Sequence, residues 1–237
     1  MAAFASFYQR IIDPGASQRL SSDRPLAGPA RCRRNTFLRG PLGASIATLG
    51  LTCARTFNAQ AANFTCSWND ATANWTTVAD WSNCNGTDPN NVGGNTYDVT
   101  ISQGDPTLTT AVTIGSVTVN SPGVWTVTGS GASATLTGTL TNSGTVALQN
   151  GASLTTTVGG LANTGLVSVD GFSTGGSGGS SLTLGGALTN GGGATFEIGS
   201  GGLTATSTVQ AASLSNTGTV ELLGVSAAAR WTTAVAR

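Results

Sequence analysis

One phrase returns four times in the second half of this chain. It reads Leu-Thr-Asn-Ser-Gly-Thr-Val-Ala-Leu at 140–148, Leu-Ala-Asn-Thr-Gly-Leu-Val-Ser-Val at 161–169, Leu-Thr-Asn-Gly-Gly-Gly-Ala-Thr-Phe-Glu-Ile at 188–198 and Leu-Ser-Asn-Thr-Gly-Thr-Val-Glu-Leu at 214–222. Its asparagines, Asn142, Asn163, Asn190 and Asn216, are spaced 21, 27 and 26 residues apart. A period in that range marks a stacked-repeat architecture, in which each unit buries its apolar face only against its neighbours.

Within a repeat the apolar residues alternate over three to five positions and are bounded by Gly, Asn, Ser or Pro, as in short strands. From Tyr97 onward the segments Tyr97–Ile101, Val112–Ile114, Val117–Val119 and Val124–Val127 carry the same alternation. Thr and Val dominate, and β-branched side chains suit a pleated surface. About three strands fit in one repeat. The expected fold is all-β, a right-handed parallel β-helix of about five to six coils over 97–223, roughly 25–30 Å long at the sheet spacing. Equivalent asparagines stack as an amide ladder, and the glycines after them serve a left-handed turn. Inward Leu, Val and Ile form a narrow core. The Gly-Gly-Ser-Gly-Gly-Ser stretch at 175–180 is a loop bulging from one coil, which accounts for the 27-residue interval. The rival all-β fold, an up-and-down sandwich, requires hairpins and gives no reason for a matching Asn in each repeat.

Charge divides the chain. It has no Lys and no His, so all ten basic residues are Arg, and eight of them lie between Arg10 and Arg55. From Thr56 to Ala229 there is no basic residue, whereas eight acidic ones fall there, Asp70, Asp80, Asp88, Asp98, Asp105, Asp170, Glu197 and Glu221. A body without cations lacks the groups that neutralise phosphate, which argues against nucleic-acid binding and against anionic glycan or lipid surfaces.

Residues 1–61 form a leader, expected to be largely disordered. Within it, 31–62 presents a basic segment, a modest apolar stretch at 41–54 and an Ala-x-Ala pattern at Ala59-Gln60-Ala61, the order of a signal peptide. The apolar stretch is too short to span a bilayer. The arginines at 31–39 precede this segment and are assigned to it, not to a nucleic-acid arm. The Arg33-Arg34 pair loosely resembles a twin-arginine signal, with one residue too many before Phe37-Leu38. Cys32 and Cys53 fall in the leader. Cys66 and Cys84 remain in the body, and a single structural disulfide between them is the simple expectation for an exported chain. Two cysteines without histidine make a poor zinc site, so neither a metal nor a cofactor is expected.

Residues 62–96 break the pattern. Trp68, Trp75 and Trp81 lie within fourteen residues, between the two cysteines, and a turn-rich Asn/Gly run follows. A stack of strands has an open end that needs covering, and large aromatics cover the most area per residue. The segment is expected to be an N-terminal cap; the alternative is a sugar-stacking platform. Three Asn-x-Thr sequons begin at Asn63, Asn74 and Asn85, and are read as chance in an Asn/Thr-rich segment.

The Trp-rich segment followed by Asn-Asn-Val-Gly-Gly-Asn-Thr-Tyr-Asp-Val-Thr-Ile at 90–101, together with the Leu-x-Asn-x-Gly-x-Val-x-Leu repeats, resembles bacterial autotransporter passenger regions and related secreted adhesins. The resemblance covers about 63–223. It implies a parallel β-helix, export past the outer membrane to the cell surface or beyond, and partners among host or environmental glycans or surface proteins. Members of that family usually carry a C-terminal membrane barrel or other anchor, and much longer helices. Residues 224–237 match no repeat and are expected to be an irregular tail of a truncated passenger, with no membrane insertion by the body and with end-to-end self-association at the uncovered coil.

Chemistry finds little footing in the residues. Glycoside hydrolysis needs two carboxylates flanking one bond, whereas the repeats offer scattered acids without a basic partner. Glu197 and Glu221 occupy matching repeat positions, in Thr-Phe-Glu-Ile and Thr-Val-Glu-Leu, and are expected one coil apart on the exposed outside. Histidine-dependent triads are excluded, a Walker loop lacks its Lys, and the calcium-roll nonapeptide is absent. The expectation is a non-catalytic surface or adhesin-like structural protein. The alternatives are a polysaccharide-binding or polysaccharide-cleaving β-helix, and a decayed reading frame.

Overall fold

The computed structural model describes residues 61–69, 71–224 and 229–233. The chain divides into two units, Met1–Arg55 and Thr56–Arg237, and every described residue belongs to the second. Apart from Ala61, the leader with its signal-like segment, Cys32 and Cys53 lies outside the described residues.

Among the described residues the structure is all-β; a single 3-10 turn at Val78–Asp80 is the only helical piece. The strands form three long sheets of eight, seven and six strands, here called A, B and C. Successive strands visit A, B and C in turn. Thr96–Ile101, Asp105–Leu108 and Ala111–Ile114 make one round, Val117–Val119, Val124–Thr128 and Ser133–Leu136 the next, and Leu140–Asn142, Thr145–Gln149 and Ser153–Thr156 a third. Each strand pairs in parallel with its counterpart in the following round. The pairing register equates the repeated phrases: Leu140, Leu161, Leu188 and Leu214 align, as do Asn142, Asn163, Asn190 and Asn216. Leu148, Val169, Ile198 and Leu222 align in sheet B. This is a solenoid-like arrangement of parallel sheets. The hairpins of a sandwich are not what joins the strands; the one antiparallel pair places Trp68 opposite Trp81 in the Trp-rich segment.

The alternation in sequence becomes alternation in burial. Ser133–Leu136, Ser153–Thr156 and Ser181–Leu184 each bury every second residue, because successive side chains of a strand point to opposite faces. The buried set, from Tyr97 through Leu136, Leu154 and Phe196 to Val209, is one continuous core between the sheets.

The two longer intervals have separate causes. Residues 170–180 separate a sheet B strand from its sheet C successor, and 199–206 do so in the next round. The glycine of the repeated phrase has a different role from the turn expected of it. Gly144 and Gly165 do not adopt positive φ; a Cβ on either would lie 2.2 Å from a carbonyl oxygen of the preceding round, on Gly123 and Gly144 respectively. Glycine is required there for close backbone approach.

The N-terminal cap is more than a lid. Asn63–Trp68 pairs in parallel with Thr96–Ile101, and Thr72–Asn74 with Asp105–Thr107, so the cap supplies the first strands of sheets A and B. Trp81–Ser82 then closes the free edge of sheet A in antiparallel fashion. The edge of sheet C is met by a loop: Asn91 N–H donates to the Thr113 carbonyl at 2.6 Å and Thr113 N–H to Asn90 Oδ1 at 3.0 Å. The cap thus meets an edge that would otherwise template strand addition.

At the other end, Ala229–Thr233 pairs with Ser207–Ala211 in sheet C. Part of the segment read as an irregular tail is therefore a strand, recruited by a partner edge that no repeat motif announces. Trp231 sits half-buried with its ring edge-on to Phe196 at 6.2 Å. Leu214, Leu222 and Leu223, in or beside the last strands of sheets A and B, are 39, 51 and 43% exposed.

Cys66 and Cys84 are disulfide-bonded with Cα atoms 4.9 Å apart and a sequence separation of 18. Replacing both with Ala should lower the unfolding free energy by about 3 kcal/mol, the loop-entropy value for a bridge of this span. Denaturant titration of the oxidised and substituted proteins measures it. Equal stability would mean that tryptophan packing alone fixes the cap.

Candidate functional site

The aligned asparagines build the most regular polar feature of the molecule. Asn142 Nδ2 donates to Asn163 Oδ1, Asn163 Nδ2 to Asn190 Oδ1, and Asn190 Nδ2 to Asn216 Oδ1, each at 2.8 Å. The same amide groups donate a second time to carbonyls one round further on, of Leu166, Thr195 and Thr219, at 2.9, 3.1 and 2.9 Å. Asn142, Asn163 and Asn190 are fully buried. The ladder starts at Asn142 because Val119 occupies the preceding position. Asn142 Oδ1 is consequently buried without a partner, a cost of about 1–3 kcal/mol.

Trp68, Trp75 and Trp81 lie inside the cap, at most 7% exposed. Trp75 and Trp81 meet edge-to-face at 4.7 Å, as do Trp68 and Trp81, and Trp75 reaches Trp125 of sheet B at 5.7 Å. The indole N–H groups of Trp68, Trp75 and Trp81 donate to the Ala71, Pro89 and Trp75 carbonyls respectively. Sugar stacking needs open ring faces, and these faces are spent on one another. The platform alternative therefore fails at these three residues, and their geometry is that of packing.

A second polar cluster lies where the repeat pattern gives no sign of one. Asp170, fully buried with φ +51°, accepts from Asn150 N–H at 2.8 Å, Ser180 N–H at 3.0 Å and Ser207 Oγ at 2.8 Å. One carboxylate thereby links three successive rounds. Glu197 is only 4% exposed, which corrects the expectation of an outward, solvated position. Its carboxylate accepts from Ser168 Oγ and Ser173 N–H, both at 3.0 Å, and from Ser173 Oγ. The physical reason is the glycine-rich excursion: instead of bulging away, 171–180 folds back over the outer face of sheet B and covers Glu197. Glu221, its counterpart one round later, stays exposed. The excursion packs too closely for side chains, since a Cβ on Gly171 would meet Glu197 Oε2 at 2.6 Å and one on Gly176 would meet Asp170 Oδ1 at 2.3 Å. An Asp before a Gly, at the repeat with the longest interval, is the signal that marks this site in the sequence.

On the outer face of sheet A, small residues leave a shallow open groove of about 290 Å³ between Thr141, Gly160, Ala162, Ala187 and Thr189. It holds no charged group. Among the described residues no group of three or more His, Cys, Asp or Glu converges as a metal site, and no helix is long and apolar enough to cross a membrane. Compared with known protein families, characterised proteins and solved structures, the chain matches none.

Asn163→Ala should cost about 2–3 kcal/mol by leaving buried amide and carbonyl groups unpaired, whereas Asn216→Ala, at the exposed end, should cost under about 1 kcal/mol. Denaturant midpoints compare them, and equal effects would show that the ladder does not act as a chain of buried bonds. Glu197→Ala should free the excursion from sheet B. Chymotrypsin should then cut after Phe172, already 77% exposed, several-fold faster. An unchanged cleavage rate would mean that the loop is held without this carboxylate.

Proposed function

We propose that this chain is an exported, non-catalytic surface protein of adhesin-like type, related in design to autotransporter passengers. In this reading its second unit is a right-handed parallel β-helix. The right hand follows from the crossover rule for parallel strands, and the six strands of sheet C would count six full coils after a partial first one. The observation that carries the proposal is a long stack of parallel sheets tied at one end by a disulfide. Structural disulfides persist in oxidising compartments, which agrees with the signal-like segment at 31–62. A stack of repeats with Thr/Ser-rich, sparsely charged faces supports a display role, because it presents extended surface on a stiff frame. The exposed leucines at the far end favour end-to-end self-association of copies.

Expression of the full chain, epitope-tagged at its C-terminus, in a bacterium with an outer membrane tests this. The expected product lies outside the inner membrane, begins near Ala62, and has Cys66 and Cys84 resistant to maleimide before reduction. An unprocessed, cytoplasmic, reduced product would overturn the export reading. Light scattering of the exported form should show mass rising with concentration; a concentration-independent monomer would remove the self-association.

A further inference from the structure

We propose that the outer face of sheet C is an ice-binding surface. The sheet register sets Thr113, Thr135, Thr155 and Thr183 side by side in one outward column, with Gln210 continuing it. Two residues earlier on the same strands, Ser133, Ser153 and Ser181 form a second column that continues to Thr208. The result is a two-dimensional grid of hydroxyls. Its period is about 4.8 Å between strands and about 6.7 Å between alternate residues along a strand. Both lie near the oxygen repeats on prism faces of hexagonal ice, one along the a axis and one along c.

Three further features fit a crystalline water surface. First, strands 111–114, 133–136, 153–156 and 181–184 carry no charged residue. Charged groups, ammonium above all, hold strongly bound water in their own geometry; a hydroxyl accepts or donates as the lattice requires. Second, no described residue hydrogen-bonds the Thr113, Thr135, Thr155 or Thr183 hydroxyls. On sheet B, by contrast, Thr126 Oγ1 donates to Asp105 Oδ1 at 2.9 Å. Third, the grid is stiff. Threonine is restricted at χ1, flanking columns leave these side chains half-buried, and in-register parallel pairing fixes each strand on its neighbour. A surface ordered in advance loses little entropy on binding an ordered partner. The methyl groups between the hydroxyls leave first-shell water orientationally restricted before contact.

The other faces lack the grid. Sheet B carries Ala147, Ser168 and Glu197 in the equivalent column and is covered there by the 171–180 excursion. Sheet A sets Thr100, Thr118 and Thr141 in register but breaks at Ala162, where the groove opens, and its neighbouring column holds the charged Asp98 in place of a hydroxyl. The proposal depends on the register of sheet C alone, and not on export or adhesion.

The test is thermal hysteresis and ice-recrystallisation inhibition by the purified full chain. Wild type should facet ice crystals and hold a freezing-point gap. Thr155→Tyr, at the centre of the grid, should lose at least nine-tenths of that gap, whereas Thr118→Tyr on sheet A should keep it, with matched unfolding midpoints as the control. Thr155→Ser, which keeps the hydroxyl and removes one methyl, should weaken the gap several-fold even where the tyrosine variant fails to fold. Absence of hysteresis and recrystallisation inhibition in wild type overturns the proposal, as does equal loss in the sheet A variant. Co-sedimentation with crystalline cellulose or chitin without ice shaping would overturn it in favour of a polysaccharide surface.

Discussion

Every other feature of the described unit hangs on in-register parallel pairing of short, equivalent strands. A strand of three or four residues makes few hydrogen bonds and cannot stand alone. Its stability comes from equivalent neighbours above and below, so an error in register would move its inward side chains to the outside. The asparagine ladder makes register expensive to lose. Each amide bonds its neighbour in the adjacent round and a backbone carbonyl beyond it, so a slipped round would leave buried polar groups unpaired. The ladder is also polarised: with Val119 in the preceding position, Asn142 keeps an unmatched oxygen. At the other end Asn216 is exposed.

The same pairing that stabilises the stack creates a problem at its ends. The N-terminal cap addresses it with three devices, a short antiparallel strand on sheet A, a first parallel strand on sheet B and an asparagine loop on sheet C. Behind them the tryptophans fill the space between sheets, and the disulfide fixes the turn. At the far end the last strands of sheets A and B keep leucines in solvent. Among the described residues that end sets Leu214, Leu222 and Leu223 in or beside the last strands of sheets A and B, which favours further contact there.

Two buried carboxylates mark the place where the stack departs from regularity. Asp170 and Glu197 sit in a body with no basic residue between Thr56 and Ala229, so their oxygens are met by hydroxyl and amide donors. Buried oxygens without such donors would be costly, so these bonds hold the surrounding backbone in place. They allow a glycine-rich excursion, which would otherwise lose entropy without return, to lie flat on sheet B. The consequence is a difference among faces: sheet B is covered here, sheet A grooved, and sheet C left as an open grid of hydroxyls.

Repetition and alternation are local and periodic, and whatever follows from them can be read along the chain. The asparagine spacing, the Thr/Val alternation and the small bounding residues made the all-β character, the aligned asparagines and the inward Leu and Val columns legible. The pairing of Cys66 with Cys84 was legible as well, because the body holds no other cysteine. Contacts between non-equivalent segments obey no period, and they emerge only once the chain is folded. Whether Trp68, Trp75 and Trp81 face solvent or each other depends on where Trp125 lies, some fifty residues after Trp75. Whether Glu197 is outside or covered depends on the path of a loop that has no repeat. The glycines at 144 and 165 look like turn residues in sequence, but a carbonyl from the neighbouring round is what excludes a side chain. Residues 229–233 resemble no repeat and became a strand because the edge of 207–211 was there to pair with them. Periodic patterns specify the stack; the closing, covering and filling of it rest on packing between parts the pattern does not relate.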